Sequence, residues 1–161
     1  MKEKMIELAE LPKHTEALRA AGKKLVATNG CFDLLHIGHV RYLRAARSLG
    51  DALVVGLNGD RSVCELKGPG RPINNEHDRA EVLAALECVD FVTIFPDVRA
   101  TRFIEMAEPA IYAKGGDYTS DTLNAEERAV LETIGAKIHI IPFEKGYSTS
   151  GLLERLRIQP K

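Results

Sequence analysis

The chain has no tryptophan, only three cysteines in 161 residues, and no surplus of either charge. Each shortage removes a class of explanation. Cys31, Cys64 and Cys88 show neither paired nor metal-type spacing, and an odd count of so few thiols speaks against a disulfide scaffold and for a reducing compartment. With 22 basic and 23 acidic residues the formal net charge is -1, so the basic excess usual in nucleic-acid-binding domains is missing. A local basic pocket for phosphates stays open. No apolar run approaches the ~20 residues of a membrane helix. Met1 to Glu10 mixes charged and apolar residues where a signal peptide would carry an apolar core. The expectation is a cytoplasmic protein without a membrane or nucleic-acid partner. Repeats, low-complexity tracts and Ser/Pro-rich linkers are absent too. At 45% hydrophobic and 28% charged residues, the length suits one domain with a real core, residues 1–161, with 1–22 as an N-terminal helical extension.

What is present is an alternation of short apolar runs with helical patterns. Lys24–Thr28, Ala52–Leu57, Phe91–Phe95, Ala110–Ala113 and Lys137–Ile141 read as strands. Ala52–Leu57 is apolar throughout, as a strand covered on both faces would be. Helical periodicity marks Ile37–Leu49, Glu76–Glu87, Arg99–Ala107, Ala125–Thr133 and Thr149–Arg157. This rhythm implies βαβ units with right-handed crossovers: an α/β fold with a doubly wound, five-stranded parallel sheet of Rossmann-like type. Ligands then bind beyond the carboxyl ends of the strands, which directs attention to residues 29–36, 58–71, 96–99, 114–118 and 142–150, all read as loops.

The first of these loops is the richest. Gly30 allows a sharp turn after the strand and a close approach of ligand to backbone. His36 and His39, three residues apart at a helix start, project from nearly one face. That helix start presents unpaired N–H groups and the positive end of its dipole, which suits a phosphate. Gly38 between the histidines keeps the space clear. Zinc on His36, His39, Cys31 and Asp33 is conceivable, but no third ligand has obvious spacing. A Cys31–His36 nucleophilic pair is conceivable as well. No Gly-x-Gly-x-x-Gly follows the first strand, which disfavours a dehydrogenase. His14, His77 and His139 read as structural or surface residues.

Gly30-Cys31-Phe32-Asp33 followed by His36-Ile37-Gly38-His39 resembles the signature of the cytidylyltransferase-type nucleotidyltransferase superfamily. The resemblance continues through Val55–Val63, through Lys67-Gly68-Pro69-Gly70-Arg71-Pro72, which is similar to the family's mobile lysine loop, and through Arg79. Lys114-Gly115-Gly116-Asp117-Tyr118 and Gly146-Tyr147-Ser148-Thr149-Ser150 are similar to the adenylyltransferase domain of heptose-phosphate enzymes, in the form without a fused kinase. One departure is Ser150, where the family usually has a second threonine. Class I aminoacyl-tRNA synthetases also carry a His-x-Gly-His, but no Lys-Met-Ser-Lys-Ser signature or anticodon-binding domain accompanies it here.

The resemblance implies transfer of the AMP moiety of ATP to heptose 1-phosphate, giving ADP-heptose and pyrophosphate for lipopolysaccharide or related glycan synthesis. The acceptor's phosphate oxygen is the nucleophile, so neither a protein nucleophile nor a general base is required, which discounts Cys31. The protein must position the reactants and stabilise spreading charge. His36, His39 and Lys67 are the expected catalytic residues. Asn29, Gly30, Cys31, Phe32, Gly38, Lys114, Gly115, Asp117, Tyr147, Ser148 and Thr149 are expected on the nucleotide. Asp33, Asp60, Arg71 and Arg79 are expected on the substrate, the guanidinium forks suiting phosphate. Ser148 and Thr149 also read as an N-cap, Asp117 as a turn-former and Asn58 as a turn residue. Magnesium is expected on the phosphates, with no side-chain ligands assigned. Relatives suggest a symmetric homo-oligomer. Two other readings remain: a glycerol-3-phosphate cytidylyltransferase using CTP, and a non-catalytic nucleotide-binding domain on the same scaffold.

Overall fold

The first strand outruns its expected end. In this computed structural model, which describes residues 4–116, 123–142, 151, 153 and 154, β1 is Leu25–Gly30 and β2 is Ala52–Asn58. Asn29 and Gly30 still pair with Gly56 and Leu57, which carries β1 into the turn. β3 (Phe91–Phe95), β4 (Ile111–Gly115) and β5 (Lys137–Ile141) complete a sheet of order β3-β2-β1-β4-β5, parallel at every pairing. The expected five-stranded, doubly wound α/β sheet is therefore present among the described residues.

Helices α1 (Leu11–Ala20), α2 (Ile37–Arg47), α3 (Asp60–Lys67), α4 (Glu76–Ala84), α5 (Thr101–Ala107) and α6 (Ala125–Ile134) surround it. Of these, α3 contradicts the expectation of a loop over 58–71. It has eight residues with Ser62 and Val63 buried, too short a stripe to announce itself. Its start is held from a distance, where Glu76 Oε2 accepts the Asp60 N–H at 2.7 Å. α2 and α4 end earlier than their periodicity suggests, at Arg47 and Ala84, and α5 begins at Thr101. Of the expected closing helix only Gly151, Leu153 and Glu154 are described, and they are helical.

Strand alternation sorts the core into two clusters, one per sheet face. Leu25, Ala27, Ala52, Val54 and Tyr112 meet Leu11 of α1, Phe103 and Ile104 of α5 and Leu131 of α6. Val26, Leu53, Val55, Leu57 and Ala113 meet Leu43 and Ala46 of α2 and Ala80 and Leu83 of α4. Gly56 lets the Phe103 ring lie against the sheet, since a Cβ there would stand 2.7 Å from it. Residues 4–6 run along the outer edge of β3. Ile6 N–H donates to Val92 O at 2.9 Å, and Lys4 Nζ reaches Leu86 O and Val89 O at 3.1 and 2.7 Å.

Chain order reverses at β1, with β2 on one side and β4 on the other, so a crevice opens beyond the carboxyl ends of β1 and β4. Tyr42 of α2 pins this point: its hydroxyl donates to Ala113 O at 3.0 Å and lies 2.7 Å from Thr28 Oγ1. Burial pushes the Tyr42 hydroxyl up to about 12, so it stays a donor.

Candidate active site at the switch point

A cavity of about 750 Å³ occupies that crevice. Asn29, Gly30, Cys31, Phe32, His36, Gly38, His39, Lys67, Lys114 and Gly115 all line it. Asp117, Tyr147, Ser148 and Thr149 lie outside the described residues. Sequence reasoning missed further lining residues, among them Arg41, Tyr42, Arg99, Asn124 and Glu127. Asn124 carried a signal, because it caps α6 by accepting from Glu126 and Glu127 N–H at 3.0 and 3.3 Å. Arg99 lies in the loop after β3 that the sheet rule already singled out, whereas Glu127 carried no signal, since its place depends on which helix flanks β4.

The two histidines begin α2, His36 at the N-cap and His39 at N3, the two positions of a capping box. His36 N–H donates to His39 Nδ1 at 3.4 Å, and the rings stack with centroids 3.8 Å apart. His36 Nδ1 is buried without a well-formed hydrogen bond among the described residues. Phe32 braces His39 edge-on, ring centroids 5.3 Å apart. Phe32 itself has φ 42°, a left-handed turn, and a Cβ at Gly30 would stand 2.9 Å from its ring. Burial, aided by the neighbouring His36, pushes His39 down to about 4, and burial lowers His36 as well. Both imidazoles are therefore neutral at pH 7. Because His39 Nδ1 accepts a hydrogen bond, its proton sits on Nε2 and makes that atom a donor.

This has a consequence for stability. Between about pH 6.5 and 4 the unfolded chain protonates His39 while the folded chain does not. Stability is thus full above pH 6.5 and is lost as pH falls toward 4, with about one proton taken up per molecule on unfolding. Thermal melts across that window should show Tm falling with pH, and a shallower fall in His39→Gln. Parallel slopes in the two proteins would overturn the assignment. Asp33, also depressed, adds its loss only below its ordinary value of 3.8.

The residues expected on the substrate are arranged differently. Asp33, Asp60, Arg71 and Arg79 form two internal ion pairs. The Asp33 carboxylate, 2% exposed, accepts from Arg71 Nε at 2.5 Å and from the Ile73 and Asn74 N–H groups at 2.7 and 3.3 Å. Burial works against its charge, but these bonds outweigh it and hold the carboxyl low. Asp33 thereby fastens the segment after α3 to the first loop. The Arg79 side chain is 1% exposed. It donates to Asn74 O at 2.9 Å, Cys31 O at 2.6 Å, Asn58 O at 2.9 Å and Asp60 Oδ1 at 2.7 Å. Arg79, expected on an incoming phosphate, is buried here with four of its donors bracing the loops after β1 and β2. Asn58 likewise lines the cavity instead of merely turning the chain.

Three more groups set the electrostatics. Lys67, exposed at the end of α3 before Gly68 (φ 94°), sends its positive field onto the Cys31 thiol. Burial nonetheless pushes that thiol up, which leaves it a poor nucleophile. Burial lowers the Lys114 ammonium, partly offset by Glu127. Glu127 is itself held by Ala100 N–H at 2.9 Å. Among the described residues no group of three or more His, Cys, Asp or Glu could hold a metal ion. No described helix is long and apolar enough to cross a membrane.

A cytidylyltransferase-like family model matches residues 27–155. Bifunctional protein HldE of Geotalea uraniireducens is 48% identical over 154 residues, covering 96% of this chain and 31% of that protein. Bifunctional protein HldE of Citrifermentans bemidjiense is 50% identical over 135 residues, 84% of this chain and 27% of its own length. The chain thus spans about a third of the curated relatives it matches. The crystal structure of a lipopolysaccharide core biosynthesis protein from Thermoplasma volcanium superposes with TM-score 0.64 at 26% identity, over 79% of this chain and 100% of that one. Pantoate-beta-alanine ligase from Francisella tularensis shares the fold at TM-score 0.54 and 16% identity, over 91% of this chain and 69% of its own.

Proposed function

The chain belongs to the cytidylyltransferase-like family, and within it we propose a nucleotidyltransferase that moves the AMP moiety of ATP onto heptose 1-phosphate, releasing pyrophosphate and forming ADP-heptose. The stacked, neutral histidine pair facing the switch-point cavity carries this reading. Similarity to the HldE proteins, and to a structure named for lipopolysaccharide core biosynthesis, supports the choice of sugar and pathway.

In this reading a phosphate oxygen of the acceptor attacks the α-phosphorus in line, and the bond from that phosphorus to the oxygen of the β-phosphate breaks, so that pyrophosphate leaves with the electron pair. His36 and His39 donate to the α- and β-phosphate oxygens, where neutral N–H groups bind without a proton having to move. Gly30, Cys31, Phe32 and Gly38 bring backbone against the triphosphate, and Lys67 adds a cation from the end of α3. Gly115, Asp117, Tyr147, Ser148 and Thr149 complete the nucleotide side as proposed contacts. Asp33, Asp60, Arg71 and Arg79 act by fixing the loops. Magnesium bound by the triphosphate would supply charge neutralisation for the leaving pyrophosphate; the Asp33 and Asp60 carboxylates are already committed to arginines. Residues 1–161 act as one catalytic domain in the cytoplasm, assembled as a symmetric homo-oligomer.

The test is pyrophosphate release with magnesium, pairing ATP or CTP with heptose 1-phosphate or glycerol 3-phosphate. Release from ATP with the heptose alone is the expected result. Activity confined to CTP with glycerol phosphate would overturn the substrates and keep the reaction. Binding of nucleotide without release in any pairing would leave a binding domain.

A further inference from the structure

Two donors meet one oxygen at the crest of β1. Asn29 Oδ1 accepts from the Tyr112 hydroxyl at 2.5 Å and from Lys114 Nζ at 3.0 Å. An ammonium group has no lone pair, so the atom it touches must be the amide oxygen, and the tyrosine beside that oxygen must donate as well. The orientation of the amide is thereby fixed, with Nδ2 at the free end. Nδ2 meets no acceptor among the described residues, and the buried side-chain atoms without partners are His36 Nδ1 and Thr93 Oγ1. Nδ2 is therefore open to the cavity that Asn29 lines. Tyr112, fully buried, does not line that cavity, but its hydroxyl meets Asn29, which does.

The side of the sheet matters. Asn29 follows Leu25 and Ala27 on the face covered by α5 and α6, and Lys114 follows Tyr112 on that face. The histidines start α2, which covers the other face. Displacement at phosphorus places the attacking and leaving oxygens on opposite sides. If the histidine side holds the nucleotide phosphates, the Asn29 side is where the attacking phosphate stands. We propose that Asn29 Nδ2 donates to the acceptor's phosphate, with Lys114 beside it, and that Tyr112 is a positioning residue that sets the Asn29 amide. This moves Asn29 and Lys114 from the nucleotide to the acceptor, and it rests on the nucleotidyl-transfer reading above.

The experiment is steady-state pyrophosphate release with heptose 1-phosphate varied at saturating ATP, then with ATP varied. Asn29→Asp keeps the acceptor for Tyr112 and Lys114 but turns the donor into an oxygen. It should raise the KM for the sugar phosphate about 10- to 100-fold and change the KM for ATP by less than ~3-fold, as losing one charge-assisted hydrogen bond predicts. Tyr112→Phe retains the ring in the core and should raise the acceptor KM about fivefold, yet have no further effect in an Asn29→Ala background. The same factor in both backgrounds would make Tyr112 a packing residue and overturn the proposal. So would a KM for ATP that rises in step with that for the acceptor. A wild-type protein inactive with every phosphate acceptor would instead bring down the nucleotidyl-transfer reading, and this inference with it.

Discussion

Replacing His39 by alanine is expected to lower turnover about 10²- to 10³-fold, the loss typical when one preorganised donor is removed from a developing charge. Affinity for a non-hydrolysable ATP analogue should change little by comparison, because the other triphosphate contacts remain. The ring has a second duty, since its Nδ1 accepts the His36 N–H and its face stacks on His36. His39→Ala should therefore also cost about 1 kcal/mol of stability, the usual worth of a helix cap. His39→Asn separates the two duties. At N3 its amide oxygen can still accept the His36 N–H as in a capping box, so stability should return while turnover stays low. Pyrophosphate-release kinetics and thermal melts on the pair check this. Turnover recovering along with stability would show that His39 only builds the helix start.

The second large effect falls on folding. Arg79→Met is expected to lower stability by about 3–5 kcal/mol, chiefly through buried hydrogen bonds, because the Asp60 carboxylate left behind is 42% exposed. It strips three carbonyl oxygens, those of Cys31, Asn58 and Asn74, of their shared donor. Arg79→Lys should recover little, since one ammonium cannot reproduce a planar fork serving four acceptors. Urea midpoints for the three proteins provide the measurement. An unchanged midpoint with a raised KM for the sugar phosphate would reinstate Arg79 as a substrate ligand.

Arg79 also marks where sequence stops being enough. An arginine beside a phosphate loop has the right chemistry for a phosphate, and nothing local reveals that three backbone oxygens, on loops up to 48 residues away, will claim it first. The partners of Asp33 were hidden in the same way, because Arg71, Ile73 and Asn74 are some 40 positions downstream. The histidine pair was legible because its geometry is local: three-residue spacing behind a glycine turn fixes both rings on one helix start. Strand positions were legible for a related reason, since runs such as Ala52–Leu57 are apolar on both faces. Helix α3 escaped because its N-terminal cap comes from Glu76 across the fold. Glu127 escaped because it enters the cavity only once α6 is laid beside β4.

The two walls of the cavity belong to two separate cores. The α2 wall rests on Val26, Leu53, Val55 and Leu57, and the α5/α6 wall on Leu25, Ala27, Val54 and Tyr112, with the strands between them. A residue exchanged in one wall disturbs packing mainly in its own core, so exchanges in opposite walls combine almost independently. Over evolutionary time a scaffold of this kind can trade one nucleotide base for another, or one sugar for another, in separate steps. The histidines stand on the α2 wall, so exchanges in the α5/α6 wall leave their packing largely untouched.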